Sequence, residues 1–299
     1  MAADPITEYE HLRCRGSEAL RSGRLREALE SFTAALSLAE QVGDPIVLDR
    51  ARCNRFAVAI ELGDTAEAVR VLAPILMRQA DDENCRLAAY NLARVYQIRK
   101  DLKRAMFYAR SAQKYALALG RQDRIATGHS QIGSILLAGS YFDQALAEFE
   151  TALAKAPEEA SVERGIILDN LGYSLLLLGR PREGFRFLYQ SLRMQRALGE
   201  RLYQIGPRLS LCFGYLELGR YGRAQHHGRA ALLLAEDAGE PEGLKAALFL
   251  LGESAKLNGL DLLARRYFSR LQESFFPKDT YLTDLLMVID ARQMINLKA

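Results

Sequence analysis

Apolar residues recur every three to four positions along almost the whole chain, which is the spacing of the buried stripe on an amphipathic α-helix. The stretch ILDNLGYSLLLLGR, residues 167–180, shows this pattern, and no stretch alternates in the manner of a half-buried strand. Glycine and proline interrupt the pattern at Gly63, Pro157, Gly219 and Gly259, where helices are expected to end. The pattern predicts an all-α protein built from many short helices.

A sequence repeat organises these helices into pairs. In the second helix of each pair a small residue is followed four positions later by a large apolar one, as at Ala28 and Phe32 in GRLREALESFTAAL. The small residue recurs at intervals of 37 to 40 residues: Ala28, Ala68, Ala105, Ala145, Gly184, Ala224 and Ala264. One helical hairpin cannot bury its apolar stripe alone, so the hairpins are expected to stack and share a core.

The repeat predicts one solenoid domain over residues 1–278 and a separate C-terminal segment, residues 279–299. Within the solenoid, seven units are expected near residues 9–48, 49–85, 86–125, 126–164, 165–204, 205–244 and 245–278.

The repeat resembles the tetratricopeptide repeat (TPR), in which a large residue, leucine, a small residue and tyrosine mark the first helix, and alanine, phenylalanine and alanine mark the second. Its period is longer than the usual ~34 residues, as in kinesin light chain, the LGN type of polarity adaptor and bacterial peptide-sensing regulators. The resemblance implies a right-handed α-solenoid of about seven hairpins plus a C-terminal capping helix, with a concave groove for a protein or peptide partner. Gly228 departs from the pattern because it stands where the large residue belongs, which is expected to weaken its unit.

Four consecutive units carry a carboxamide at one register of the first helix: Asn54, Asn91, Gln131 and Asn170. A carboxamide both donates and accepts hydrogen bonds, so such a row can bind the main chain of an extended peptide whatever its side chains. The family resemblance implies this role for Asn54, Asn91 and Asn170. The alternative is that each carboxamide bonds the end of a neighbouring helix. Repetition at one register favours the binding interpretation.

Further side chains are predicted on the same face, because two steps along a helix turn a side chain by about 200° away from the packed position. Their charges predict a positive end of the groove in the early units and a negative end in the late units. Besides the four carboxamides, the residues predicted to line the groove are Arg13, Arg50, Tyr90, Arg94, Asp169, Tyr173 and Phe213.

The C-terminal segment, residues 279–299, has the apolar spacing of an amphipathic helix. An open solenoid end exposes core, so the segment is expected to cap the last unit. Two alternatives are that it docks in the groove, or that it joins a second copy and makes a homo-oligomer.

Composition narrows the function classes. The chain has 299 residues and a formal net charge of +3, which does not favour a nucleic-acid partner. No apolar run reaches the length of a membrane helix, and the polar N-terminus is unlike a secretory signal, so a cytoplasmic location is expected. The four cysteines are scattered and predict small core residues in a reducing compartment.

No catalytic or ligand-holding motif accompanies the repeats. Phosphate-binding, dinucleotide-binding, zinc-protease and serine-hydrolase motifs are absent from the sequence. His226 and His227 are adjacent on a helix, so their rings point about 100° apart and cannot share a metal. We therefore expect no cofactor, no metal and no enzymatic activity.

The sequence predicts a non-enzymatic scaffold that holds an extended or helical segment of a protein or peptide partner in its groove. Two alternatives remain open. One is a ligand- or peptide-sensing regulatory module without a DNA-binding domain of its own, and the other is an assembly subunit that self-associates through its C-terminal segment.

Overall fold

The computed structural model describes residues 4–292 of the chain, and within this range it contains fifteen α-helices, one 3-10 helix and no strand. The α-helices are α1 (Pro5–Arg21), α2 (Leu25–Val42), α3 (Pro45–Ala59), α4 (Thr65–Arg78), α5 (Asp82–Ile98), α6 (Leu102–Leu119), α7 (Gln122–Ala138), α8 (Phe142–Lys155), α9 (Val162–Leu177), α10 (Pro181–Ala197), α11 (Ile205–Glu217), α12 (Tyr221–Ala238), α13 (Pro241–Leu257), α14 (Asp261–Phe275) and α15 (Leu282–Val288); the 3-10 helix is Leu202–Gln204.

The helices pack in consecutive pairs, and the contacts divide the chain into two compact units, Met1–Glu159 and Ala160–Ala299. Unit 1 contains the four hairpins formed by α1 to α8. Unit 2 contains the three hairpins formed by α9 to α14, with α15 packed on α14. The predicted all-α solenoid of about seven hairpins with a helix after the last one is confirmed in residues 4–292. Residues 293–299 of the predicted C-terminal segment lie outside the described residues.

A side-chain cap marks the start of the first helix in several hairpins, and the repeat's small residues do not. Asp81 is the N-cap of α5, where its side chain accepts a hydrogen bond from the backbone N–H of Asn84 at 2.8 Å. The predicted unit 86–125 thus begins inside α5 and ends inside α7, because the small residue on which the repeat was aligned lies within the second helix.

One register inside the hairpins pairs a first-helix residue with the residue sixteen positions later in the second helix. In three hairpins a glycine faces a phenylalanine at this register: Gly16 with Phe32, Gly133 with Phe149, and Gly252 with Phe268. A β-carbon added at Gly252 would lie 2.3 Å from Cε1 of Phe268, so the ring uses the space that glycine leaves open.

The hairpin of α11 and α12 carries Cys212 in the first helix and Gly228 in the second. A β-carbon at Gly228 would lie 2.8 Å from Cδ2 of Leu251 in α13 and 3.1 Å from the Cys212 sulfur. Cys212 is fully buried, and this burial raises the pKa of its thiol to about 12. The space that Gly228 leaves open is therefore filled from two first helices.

Three of the four cysteines fit the predicted core position. Cys53, Cys85 and Cys212 are buried free thiols, whereas Cys14 is exposed and the prediction is wrong for it.

Candidate functional site

The first helices of the hairpins line one side of each unit. In unit 1, α1 contacts α3, α3 contacts α5 and α5 contacts α7, and in unit 2, α11 contacts both α9 and α13. Each second helix that is followed by another hairpin in its unit also packs against the next first helix. We call the side of the first helices that is turned away from the second helices the inner face, and it corresponds to the predicted groove.

Side chains of α5 bond main-chain carbonyls of α3 along this side. Asn84 Nδ2 donates to the carbonyl of Ile46 at 2.9 Å, and Asn91 Nδ2 donates to the carbonyl of Cys53 at 2.9 Å. Arg94 Nη1 donates to the carbonyl of Ala57 at 3.2 Å. Donors and acceptors follow one another in the same order along the two helices, so these bonds fix the register of α5 against α3.

The four predicted carboxamides have different surroundings. Asn91 is 2% exposed, and Gln131 is 5% exposed with its Nε2 donating to the carbonyl of Tyr90 at 2.8 Å. Asn170 is buried, whereas Asn54 is half-buried and its side chain has no hydrogen-bond partner among the described residues. The structure thus corrects the predicted exposure of Asn91, Gln131 and Asn170. For Asn91 and Gln131, a neighbouring first helix lies where the groove was expected. Asn54 remains the accessible carboxamide.

Replacement of Asn91 by alanine is expected to destabilise unit 1 by about 1–3 kcal/mol, since it removes a buried hydrogen bond between two helices. The free energy of unfolding from urea titrations measures this effect. Asn54→Ala is the matched control and is expected to change stability by less than about 0.5 kcal/mol. Equal losses in both variants would contradict the difference in role between the two carboxamides.

The predicted cationic residues of unit 1 pair with nearby acids. Arg13 Nε donates to Glu10 Oε2 at 2.7 Å within α1. Arg94 forms an ion pair with Glu61. This pairing cancels much of the positive end that was predicted for the groove.

Arg50 and Tyr90 complete the predicted set in unit 1. Arg50 donates its Nε to the Asn84 side chain, and its Nη2 lies 3.4 Å from Asp81 Oδ1. Tyr90 is half-buried. Of the residues predicted for the inner face of unit 1, Asn54 and Tyr90 are thus partly accessible, and the arginines are paired with acids.

The predicted groove residues of unit 2 lie between helices. Asp169 is 5% exposed, and its Oδ1 accepts a hydrogen bond from Ser210 Oγ of α11 at 2.7 Å. Tyr173 is fully buried and Phe213 is 8% exposed, with their ring centroids 5.5 Å apart. Asp169 and Tyr173 contact α11, which lies where the sequence prediction had placed solvent. Their predicted position on an open groove floor is thus corrected.

Lys256, a residue of the first helix α13, binds the C-terminal segment. Its Nζ donates to the main-chain carbonyls of Leu286 and Ile289, both at 2.7 Å. The same Nζ bonds Glu253 Oε1 at 2.6 Å, and Glu253 is fully buried. Burial raises the pKa of Glu253, and the ammonium of Lys256 opposes that rise.

Beyond Ile289, the C-terminal segment continues towards α11. Ala291 is 3% exposed, and Arg292 Nη1 lies 3.5 Å from Glu217 Oε1 at the end of that helix. Described residues of the C-terminal segment thus reach two first helices of unit 2, besides packing on α14 as a cap. No sequence periodicity signalled this, because the contacts depend on one lysine and on main-chain carbonyls.

None of the helices in residues 4–292 combines the length and the apolar character that a membrane span requires.

Comparison by sequence finds no matching protein family and no matching curated protein. Solved structures match in fold. A chain of the APC/C hetero-tetramer Cut9-Hcn1 superposes with a TM-score of 0.71 at 15% identity and covers 96% of this chain, which spans 50% of that longer relative. The Rap conjugation gene regulator of plasmid pLS20, solved with the Phr* peptide, gives a TM-score of 0.68 at 12% identity over 90% of this chain and 76% of its own.

A second Rap protein, solved with Competence and Sporulation Factor, gives a TM-score of 0.54 at 16% identity over 99% of this chain and 76% of its own. At such low identities these matches establish the fold alone. The tetratricopeptide-type solenoid that the sequence resembles is the fold of this chain.

Proposed function

We propose that this tetratricopeptide-type solenoid is a non-enzymatic scaffold that holds an extended or helical segment of a protein or peptide partner on its inner face. The observation that supports the proposal is the pair of hydrogen bonds that Lys256 donates to the main-chain carbonyls of Leu286 and Ile289. A first-helix side chain here binds the main chain of a segment that belongs to no hairpin. Binding through the main chain is the mode that accepts partners of varied side-chain sequence.

The inner face of unit 1 is the proposed binding surface. In unit 2 the C-terminal segment already engages Lys256 and Glu217, whereas Asn54 and Tyr90 in unit 1 are only half-buried. Asn54 offers a donor and an acceptor, and Tyr90 offers a ring with a polar tip, the kind of side chain that anchors interfaces. Arg13, Arg50 and Arg94 are proposed to flank them.

Selection of peptides from a displayed random library on the full-length chain tests the proposal. Enriched peptides, labelled and titrated by fluorescence anisotropy, are expected to bind with dissociation constants on the order of micromolar. Tyr90→Ala and Asn54→Ala are each expected to weaken binding about tenfold, since both side chains would touch the segment.

Phe107→Ala is the matched control, because Phe107 is an aromatic residue of the second helix α6 and is 65% exposed. It is expected to leave the affinity unchanged. If Phe107→Ala weakens binding as much as Tyr90→Ala, or if both inner-face variants bind like the wild type, the inner face of unit 1 is not the binding surface.

A peptide-sensing regulatory module is the second candidate. The two Rap structures support it, since both were solved with a bound peptide or factor and cover at least 90% of this chain. A sensing role requires the ligand to favour one of two conformations. Hydrogen exchange of the chain with and without a selected peptide distinguishes the two candidates: protection confined to α3 and α5 indicates a scaffold, and altered exchange on the second helices indicates a sensor.

We also propose a cytoplasmic location. Three buried free thiols, Cys53, Cys85 and Cys212, support it, because unpaired cysteines are typical of reducing compartments.

A further inference from the structure

A cavity of about 430 Å³ lies between the second helices α10 and α12 of unit 2, over the first turn of α11. Its volume is within the range of small-molecule sites, about 300–1,000 Å³. The arginines and histidines that line it are Arg193, Arg196, Arg208, Arg223, His226 and His227. These residues belong to three helices, and none of them is part of the proposed peptide surface.

Among residues 4–292, the cavity lining has four guanidinium groups and no carboxylate. None of these arginines has an ion-pair partner within that range, whereas arginines elsewhere do, as Arg78 does with Asp49 at 2.6 Å. Burial lowers the pKa of Arg208, and the nearby charge of Arg196 lowers it further. Like charges gathered in a concave surface repel one another and create a field that attracts anions.

Two polar atoms in the cavity lining are buried and have no hydrogen-bond partner among the described residues. They are Arg208 Nε and His227 Nδ1, and His227 is only 7% exposed. The other ring nitrogen of His227 lies 3.4 Å from the Tyr189 hydroxyl, which is itself 2.7 Å from the Tyr215 hydroxyl. This aromatic network holds the imidazole in place, so an unpaired donor or acceptor remains at a fixed point of the lining.

We propose that this arginine cavity binds a small anionic ligand that carries one or more phosphoryl groups. A guanidinium presents parallel N–H donors that match two oxygens of a phosphoryl group, and several of them can share one polyanion. A phosphoryl ligand supplies the negative charge that the described lining lacks and acceptors for the guanidinium groups of the cavity. The site is independent of the inner face, so peptide binding can fail while anion binding holds, and the reverse.

Titration of the full-length chain with inorganic pyrophosphate by isothermal calorimetry tests the proposal, at about 0.15 M sodium chloride so that weak long-range attraction is screened. Saturable binding with a dissociation constant below about 1 mM is expected, together with a higher melting temperature. Arg196→Gln and Arg208→Gln are each expected to weaken binding about tenfold, since each removes charge-assisted hydrogen bonds to the ligand.

Arg186→Gln is the matched control because it removes one positive charge from an exposed position of the same helix as Arg196 without lining the cavity. It is expected to change the affinity by less than about twofold. If Arg208→Gln does not fold, Arg193→Gln replaces it, because Arg193 is exposed and also lines the cavity. This variant is also expected to weaken binding. Absence of saturable heat with the wild type would overturn the proposal, and so would an equal loss of affinity in Arg186→Gln.

Discussion

Replacing Lys256 with alanine is expected to destabilise the protein by about 3–5 kcal/mol, the range found when one partner of a buried ion pair is removed. Among the described residues, Lys256 is the only hydrogen-bond partner of the Glu253 carboxyl group, and the Glu253 side chain is fully buried. The variant also loses the two bonds that hold the carbonyls of Leu286 and Ile289. Urea titration of the wild type and the variant at pH 7 measures the difference.

The loss should become smaller in acid. Burial raises the folded-state pKa of Glu253 above the ordinary value of a glutamate, so the folded protein binds this proton more tightly than the unfolded chain does. The corresponding stabilisation is present below the unfolded pKa and is lost as the pH rises through the folded pKa. Without Lys256 no cation stabilises the ionised carboxyl of Glu253, so its protonated form is favoured further. The loss of unfolding free energy in the variant is therefore expected to be greatest at neutral pH.

Two further variants separate this explanation from a general loss of packing. Glu253→Gln added to Lys256→Ala is expected to restore part of the stability, because no buried charge is then left without a partner. Lys245→Ala is the control, since Lys245 and Glu242 form the same type of pair at the surface, with side chains 37% and 69% exposed. Its expected effect is below about 1 kcal/mol. A failure of Glu253→Gln to restore any stability would argue against the buried charge as the cause.

Gly252→Ala is the second change with a large expected effect, a loss of about 3 kcal/mol from overpacking. The new methyl group would lie 2.3 Å from Cε1 of Phe268, and this ring is fully buried and has no room to swing aside. Thermal unfolding, followed by the helical circular dichroism signal, should show a lower melting temperature.

Gly222→Ala provides the comparison. Gly222 lies in α12 with no atom within 4 Å of an added β-carbon, so alanine there is expected to stabilise the helix by about 0.5–1 kcal/mol. Opposite signs for the two substitutions are the expected result. If Gly252→Ala is tolerated as well as Gly222→Ala, the close approach of Phe268 does not constrain the hairpin.

The hairpins could be predicted from sequence because local features determine them. The apolar spacing of ILDNLGYSLLLLGR and the recurrent small residues at positions such as Ala28 and Ala264 indicate helices and their pairing. The boundaries were less accurate, since caps such as Asp81 lie outside the repeating positions.

The site was harder to predict. The sequence register shows that Asn91 and Asn54 occupy equivalent positions on their helices. It does not show how close a neighbouring helix lies to each side chain. Asn91 meets a carbonyl of α3, whereas Asn54 stays half-buried. Lys256 binds the C-terminal segment through main-chain carbonyls, and the pattern of side chains in a sequence does not indicate such contacts. The arginine cavity brings together residues of three helices whose charges have no common spacing.

The close contacts of Gly16, Gly133 and Gly252 have a consequence for how such a chain diverges. In these three hairpins the first helix has no room for a side chain as long as the second helix keeps its phenylalanine. The same register holds Phe56 with Leu72 in one hairpin and Ala93 with Ala109 in another, so the repeat itself fixes neither size. Substitutions at the two positions should therefore be correlated within one hairpin and independent of the other hairpins.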